Sequence, residues 1–581
     1  MRHLLEPQKM RELMRVALGD EWADLVVVGG DVVDVYTREL LPNHSIAVKD
    51  RWIAYVGQEV DHIIGPQTEV IDASGKVVVP GFIDAHAHMV YYHRPDEFLR
   101  YAIRSGTTTI ITEIMELAFP MGYEGLLAYI DALRDQPIRV LFTVPPSIAL
   151  SRSLREKIPT VDQLLELLQR EEAVGVGEGY WQEVLRGDPY FPVLSARALR
   201  LGKVVEGHAA GCRGRKLAAY LAFGVSSCHE AVNAQEALER LRMGLWVMVR
   251  EGSIRRELEA VAPIKDMSVD LRRMILVSDG LDPRDIIEKG YMDFILQKAI
   301  DLGFDPLSAI QMVTLNPAEH FRLDGLTGGI APGRCADIVI IRGVKTIEVE
   351  CVISSGRVIM RDGQLKVNPR RANLPKEGLG GITVDATDFT IEAKGKGARR
   401  VRVIEQVTEL VTKEALVDLF PWDGQIKADP ERDLLKVSLV NWQGRVFTGL
   451  IRGLGMREGA LATSAVWENA GVVVVGANEE DMARATNRVF ELGGGIVLVA
   501  RGQRLAELPL PVGGMISDLP IEGVARRLKE IQEEARKLGF RFPDAPLTLA
   551  TLPSPAIPFL RISEDGLVDL KKGEIVSLMV W

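Results

Sequence analysis

The stretch Val79-Pro80-Gly81-Phe82-Ile83-Asp84-Ala85-His86-Ala87-His88 ends an apolar run with two histidines two positions apart. Side chains alternate along a strand, so both imidazoles leave it on one side and can grip one cation. Candidate ligands also end later apolar runs. Glu178 closes Gly175-Val176-Gly177-Glu178, and His208 closes Val205-Glu206-Gly207-His208. His229 closes Ser227-Cys228-His229, and Asp279 closes Val277-Ser278-Asp279. Four of the nine histidines therefore stand at strand ends, and none of the nine lies beyond His320. Four imidazoles and two carboxylates suit manganese, iron or zinc, and a carboxylate such as Glu178 can bridge two ions. Two ions sharing a water lower its pKa and generate hydroxide at neutral pH. Asp279 is then placed to take a proton and deliver it to a leaving group. His93 and His320 read as structural.

Elements that could bring these residues together follow from periodicity. Eight β-type runs occupy 77–84, 107–113, 138–144, 173–178, 203–208, 224–229, 245–251 and 274–279. Between them Glu97–Ser105, Glu124–Arg134, Val161–Glu172, Arg213–Ala222 and Ala234–Arg242 carry apolar residues at helical spacing. Gly106, Gly202, Gly224 and Gly244 follow such runs, where a left-handed stop is wanted. Eight strand–helix units over 75–329 point to a (β/α)8 barrel, with its chemistry at the C-terminal strand ends. An open doubly wound sheet is the competitor, because alternation alone does not show closure. Ligands on strands one, four, five, six and eight favour a ring.

The flanks read differently. Residues 1–21 form an amphipathic helical segment, and 22–74 form short strands in which Gly29-Gly30 suits a tight hairpin turn. Turn-rich Gly328–Asp337 leads into strands that end near residue 370. These are expected to return and pair with 22–74 in a small β-sandwich. The polar stretch Asn368–Pro375 marks a boundary. Residues 380–581 alternate strands and helices as a further domain.

Bulk properties exclude several classes. The chain has 581 residues, 47% of them apolar, enough for two to four domains. A net charge of −10 without a basic stripe argues against nucleic-acid binding. Four cysteines lack C-x-x-C spacing, and no uninterrupted apolar run is long enough to cross a membrane. A cytoplasmic setting is expected, with a small molecule as partner and neither membrane nor nucleic acid. Gly175–Gly179 lacks the spacing of a dinucleotide fingerprint. The H-x-E with P-C-x-x-C pattern of zinc nucleobase deaminases is absent.

From about residue 23 onward the chain resembles the amidohydrolase superfamily, and within it the adenine deaminases. Pro80–His88 and Gly329–Asp337 look like superfamily signatures. Val205–Gly211, Cys228-His229-Glu230, Val249–Ser253 and Ser278-Asp279 are similar to adenine deaminase motifs. So are Gly453-Leu-Gly455, Gly493-Gly-Gly495, Leu508–Pro511 and Ser517-Asp518 in the C-terminal part. The resemblance implies an α/β fold: a (β/α)8 metal-dependent hydrolase barrel, a small β-sandwich and a C-terminal adenine-deaminase-type domain. It also implies a binuclear divalent centre of manganese or iron, conversion of adenine to hypoxanthine and ammonia, and a homodimer. Carried over, His86, His88, Glu178, His208, His229 and Asp279 would be ligands, with Glu178 and Asp279 catalytic. Arg250, Glu251, Ser253, Glu113 and Glu116 would contact the substrate.

Departures cluster at the same places. The family has an acid where this chain has Val90, and a D-P-H-E stretch where it reads Glu113-Ile-Met115-Glu116. It has a second aspartate where Gly280 stands, and H-D-S-H-N where Trp467-Glu-Asn-Ala-Gly471 stands. Lost polar contacts shift substrate choice strongly. Another aminated heterocycle or cyclic amide, and a catalytically inactive metal-binding paralogue, are therefore the alternatives to adenine.

Overall fold

The computed structural model describes residues 5–146, 154–376, 378–395, 397–557 and 559–580. The eight strands of the barrel are Phe82–His88, Thr107–Glu113, Arg139–Val144, Ala173–Tyr180, Val204–His208, Ser227–Cys228, Trp246–Arg250, and Met274–Val277 resuming as Asp279–Gly280. Neighbours run parallel from the first strand to the fifth, and from the sixth to the eighth. The ring closes at two joints. Ser226 N donates to Val205 O at 2.9 Å between strands five and six. Asp279 and Gly280 pair with Ala87 and His88 between strands eight and one. The open doubly wound sheet is thereby excluded.

Alternation decides what faces inward. Ile111, Leu141, Val204, Met248 and Ile275 form one apolar cluster with Phe321 and Leu323, filling the lower barrel. Two positions beyond Met248 comes Arg250, and two beyond Val277 comes Asp279, so the inward faces turn from apolar to ionisable at the strand ends. Strand one needs a break in this rule, since Ile83 and Ala85 belong to the apolar cluster. A register shift between Asp84 and Ala87 supplies it and brings His86 inward. Gly106, Gly202, Gly224 and Gly244 all adopt φ between 74° and 86°, the left-handed conformation their positions demand.

Three features differ from the sequence reading. The apolar run at 77–84 is two strands. Val77–Pro80 joins the flanking sheet, antiparallel to Ile338–Ile341, and Phe82 starts the barrel. The flanking strands form one continuous nine-stranded sheet in which Val77–Pro80 stands between the two flanks. Gly29-Gly30 is not a hairpin turn. Leu25–Asp34 is a single strand with register shifts around Gly30. A Cβ on Gly30 would lie 2.6 Å from Val78 Cγ2, so close strand packing explains that glycine.

The C-terminal region is mostly sheet. Its main sheet has nine strands among the described residues, the buried runs Leu434–Asn441 and Gly471–Gly476 included, with helices Glu479–Glu491 and Ile521–Lys537 against that sheet. Strand–helix alternation holds only around those helices. This region covers the C-terminal end of the barrel. Ser517 N donates to Tyr92 O at 2.9 Å, and Arg94 Nη1 reaches Asp518 Oδ1 at 3.2 Å. Among the described residues no helix is long and apolar enough to cross a membrane.

Candidate metal centre and active-site cavity

Six side chains converge at the covered end of the barrel. Glu178 Oε1 lies 3.0 Å from His86 Nε2, 3.1 Å from His88 Nε2 and 3.5 Å from His229 Nε2. Asp279 Oδ1 lies 3.4 Å from His86 Nε2 and 3.3 Å from His88 Nε2. Two sets of donor atoms result: His86, His88, Glu178 and Asp279, and Glu178, His208 and His229. Glu178 belongs to both. The imidazoles pack tightly, with His86 stacked on His229 at 4.1 Å between centroids.

The donors fit a pair of divalent cations. His86 Nε2 is buried and makes no well-formed hydrogen bond, although Glu178 Oε1 is 3.0 Å away. A buried nitrogen this close to carboxylate oxygens without a well-formed hydrogen bond fits a donor atom that a cation would satisfy. Neutral imidazoles and carboxylates are the ligands that such ions take. Burial would raise the Glu178 carboxyl, but His229, His86 and His88 outweigh burial and hold it well below the usual range. Glu178 is therefore an anion ready to bridge.

A second layer fixes these groups. Glu116 hydrogen-bonds His88 Nδ1 and so orients that ring toward Glu178. Arg250 is gripped by both oxygens of Glu257, at 2.8 and 2.9 Å. It presents its guanidinium to Glu230 and, at 3.3 Å, to Asp279 Oδ2. Glu230 Oε1 lies 3.2 Å from His208 Nε2 and 3.4 Å from His229 Nε2. Burial opposes its ionisation, yet Arg250 and His208 bring its carboxyl down to about 2.

The centre opens into a cavity of about 90 Å³. Val90, Glu116, Tyr180, Arg250, Ile254 and Glu468 are among its walls. Of the five residues expected at the substrate, Arg250 and Glu116 line it. The other three do not. Glu251 follows Arg250 on the opposite face of the strand and pairs with Lys298 at 2.7 Å. Ser253 donates to Asp285 Oδ2 at 2.6 Å and accepts from Asp282 N. Glu113 sits behind His86, 4.0 Å from its Nδ1, and burial and then Glu178 raise its carboxyl to about 8. His320 bonds Glu206 at 2.7 Å, and His93 stacks on Phe98.

Glu230, Tyr180 and Glu468 are among the cavity residues that escaped the sequence reading. Glu230 directly follows His229, and Tyr180 lies two positions past Glu178, on the same face. Strand alternation could have found Tyr180. Glu468 comes from the C-terminal region and hydrogen-bonds Tyr180. The departures also gain a physical context. A Cβ on Gly280 would lie 2.2 Å from Ile254 Cδ1, so Ile254 fills the space that a second aspartate needs. Val90 lines the cavity, whereas Met115 packs beside Tyr180.

Comparison with known proteins places this site. Residues 77–359 match the amidohydrolase family, and residues 409–574 match the adenine deaminase C-terminal domain. The chain is 36% identical to an adenine deaminase of Moorella thermoacetica, over 98% of both chains. It is 38% identical to one of Archaeoglobus fulgidus, again over 98% of both. The chain belongs to the adenine deaminase family. Among solved structures, a D-hydantoinase from Thermus sp. is similar at 16% identity and a TM-score of 0.45, over 60% of this chain and 97% of that one. A β-aspartyl dipeptidase from Fervidobacterium islandicum is similar at 19% identity and a TM-score of 0.45, over 59% and 97%. Within the adenine deaminase family, the two matched regions of this chain both supply walls of the cavity just described.

Proposed function

We propose that the protein removes the exocyclic amino group of adenine by hydrolysis, yielding hypoxanthine and ammonia. The observation that carries this reading is Glu178, shared by two buried donor sets inside a chain alike from end to end with adenine deaminases. His86, His88, Glu178 and Asp279 would hold one cation, and Glu178, His208 and His229 a second. Manganese or iron suits this set. When bound, the cations supply Lewis acidity and a water of lowered pKa.

The chain's own residues do the rest. Asp279 accepts a proton from the attacking water and returns it to the departing nitrogen. Arg250, locked by Glu257, holds Asp279 Oδ2 and keeps that carboxylate aimed. Glu116 fixes the His88 ring. The C-terminal region excludes bulk water from above, which strengthens these interactions. All four cysteines are buried and unbridged, in keeping with a reducing, cytoplasmic setting.

The test is ammonia release from adenine by the full chain loaded with manganese or iron. Asp279→Asn is expected to lower kcat by about 10²–10⁴, the usual weight of a general acid–base group. No ammonia from adenine with either metal refutes the reading. The apolar pair Val90 and Ile254 favours a second reading, another aminated heterocycle with a less polar edge. A substrate panel in which such a ring outpaces adenine supports it.

A further inference from the structure

The loop between strands Ala460–Thr463 and Gly471–Gly476 of the C-terminal region projects into the cavity over the barrel. Trp467 N anchors it by donating to Ala550 O at 3.0 Å. Glu468 follows with φ at +48°, a left-handed conformation that costs a residue bearing a Cβ. Strain of this kind persists where the surroundings dictate the placement of a side chain.

That placement is specific. Glu468 is buried, and its Oε1 accepts a hydrogen bond from Tyr180 at 2.9 Å. Its Oε2 is buried without a well-formed hydrogen bond, although the Ser554 hydroxyl stands near the carboxyl and favours its ionised form. Tyr180 in turn meets His208 edge-on at 5.0 Å between centroids, so Glu468 stands one tyrosine ring away from the donor set. The C-terminal region also gives the cavity Leu410, Trp467, Ala556 and Ile557. Among the described residues, Glu468 is thus the one ionisable group it contributes there. A buried oxygen without a full hydrogen bond is costly, and a ligand in the cavity can supply what the nearby Ser554 hydroxyl does not.

We propose that Glu468 is the residue through which the C-terminal region recognises the substrate, its Oε2 hydrogen-bonding a ring nitrogen while Tyr180 fixes the other oxygen. This rests on the reading of the substrate as a purine. A purine with its amino carbon at the donor set keeps N1 and N7 beside that carbon and turns N3 and N9 away from it, where a second wall can read them. Burial pushes the Glu468 carboxyl up to about 7. As an acid it donates to a bare ring nitrogen, and as an anion it accepts from a ring N–H. Selectivity arises because an analogue without that nitrogen leaves the carboxyl unpaired again.

The experiment is equilibrium binding of purine, which has no amino group to lose, to the metal-loaded full chain. Deaza analogues lacking one ring nitrogen each are compared in the wild type, Glu468→Gln and Glu468→Leu. The glutamine variant keeps the acceptor for Tyr180 and so preserves the loop. Glu468→Leu is expected to weaken purine about tenfold or more, with Glu468→Gln intermediate. One deaza analogue should bind the wild type as weakly as purine binds the leucine variant, and lose nothing further in that variant. Unchanged purine affinity in both variants, or an equal loss for every analogue, overturns the proposal while leaving the deaminase reading intact. Failure of wild-type protein to bind purine at all brings down the purine reading and this proposal together.

Discussion

Gly177 offers the sharpest check on the geometry of the centre, because its replacement alters no chemical group there. A Cβ at this position would lie 2.3 Å from Glu113 Oε2 and 2.9 Å from its Cδ. Ordinary contact begins at 3.4 Å, so Gly177→Ala creates an overlap of 3.4 − 2.3 = 1.1 Å. Glu113 is only 1% exposed and cannot swing into solvent. Either it is forced from its rotamer or strand Ala173–Tyr180 moves, and that strand carries Glu178. Overpacking of this kind costs about 1–3 kcal/mol. A displacement near 1 Å at the reacting groups costs about 10² in rate. The assays are the thermal midpoint and the rate of ammonia release from adenine. Glu113→Asp withdraws the carboxylate by one methylene and should restore most of both in the double variant. The coupling between the two sites should therefore be strongly favourable. Wild-type melting and a rate within twofold for Gly177→Ala, or no relief from Glu113→Asp, would refute the steric argument.

Two further outcomes follow from the second layer and from burial. Glu116→Ala frees the Nδ1 of His88, and metal affinity should fall about 10–100-fold in a chelator competition; unchanged affinity would mean that Glu116 does not orient the ring. His93 is buried, and burial lowers its imidazole from 6.5 to about 4. The unfolded chain therefore binds its proton more tightly, and stability is lost as pH falls from 6.5 through about 4. That gap corresponds to about 3 kcal/mol, so His93→Phe should flatten the acid limb of the denaturation profile; an unaltered limb would rule out this titration.

Much of the centre was legible because ligand geometry on a strand is local. His86 and His88 share a face by period alone, and the apolar runs before Glu178, His208, His229 and Asp279 announce strands. Glu251 and Ser253 were misplaced for a related reason. Proximity in sequence put them with Arg250, but Glu251 points to the other side of the strand, and Ser253 lies beyond its end, bound to Asp285. Glu113 sits where the strand delivers it, yet behind His86 rather than against the cavity.

The sequence by itself determined the ligand types, the strand ends that bear them and the glycines that stop the helices. Each is a matter of period, polarity or backbone freedom within a few residues. Only the tertiary structure decided that Glu178 stands in both donor sets, because that requires strands one, four, five, six and eight to meet. It decided that Ile254 occupies the space beside Gly280, a contact between positions 26 residues apart in number. It also brought Glu468 against Tyr180, across 288 positions of chain. No local pattern encodes such a pairing, since it depends on how one folded region packs over another.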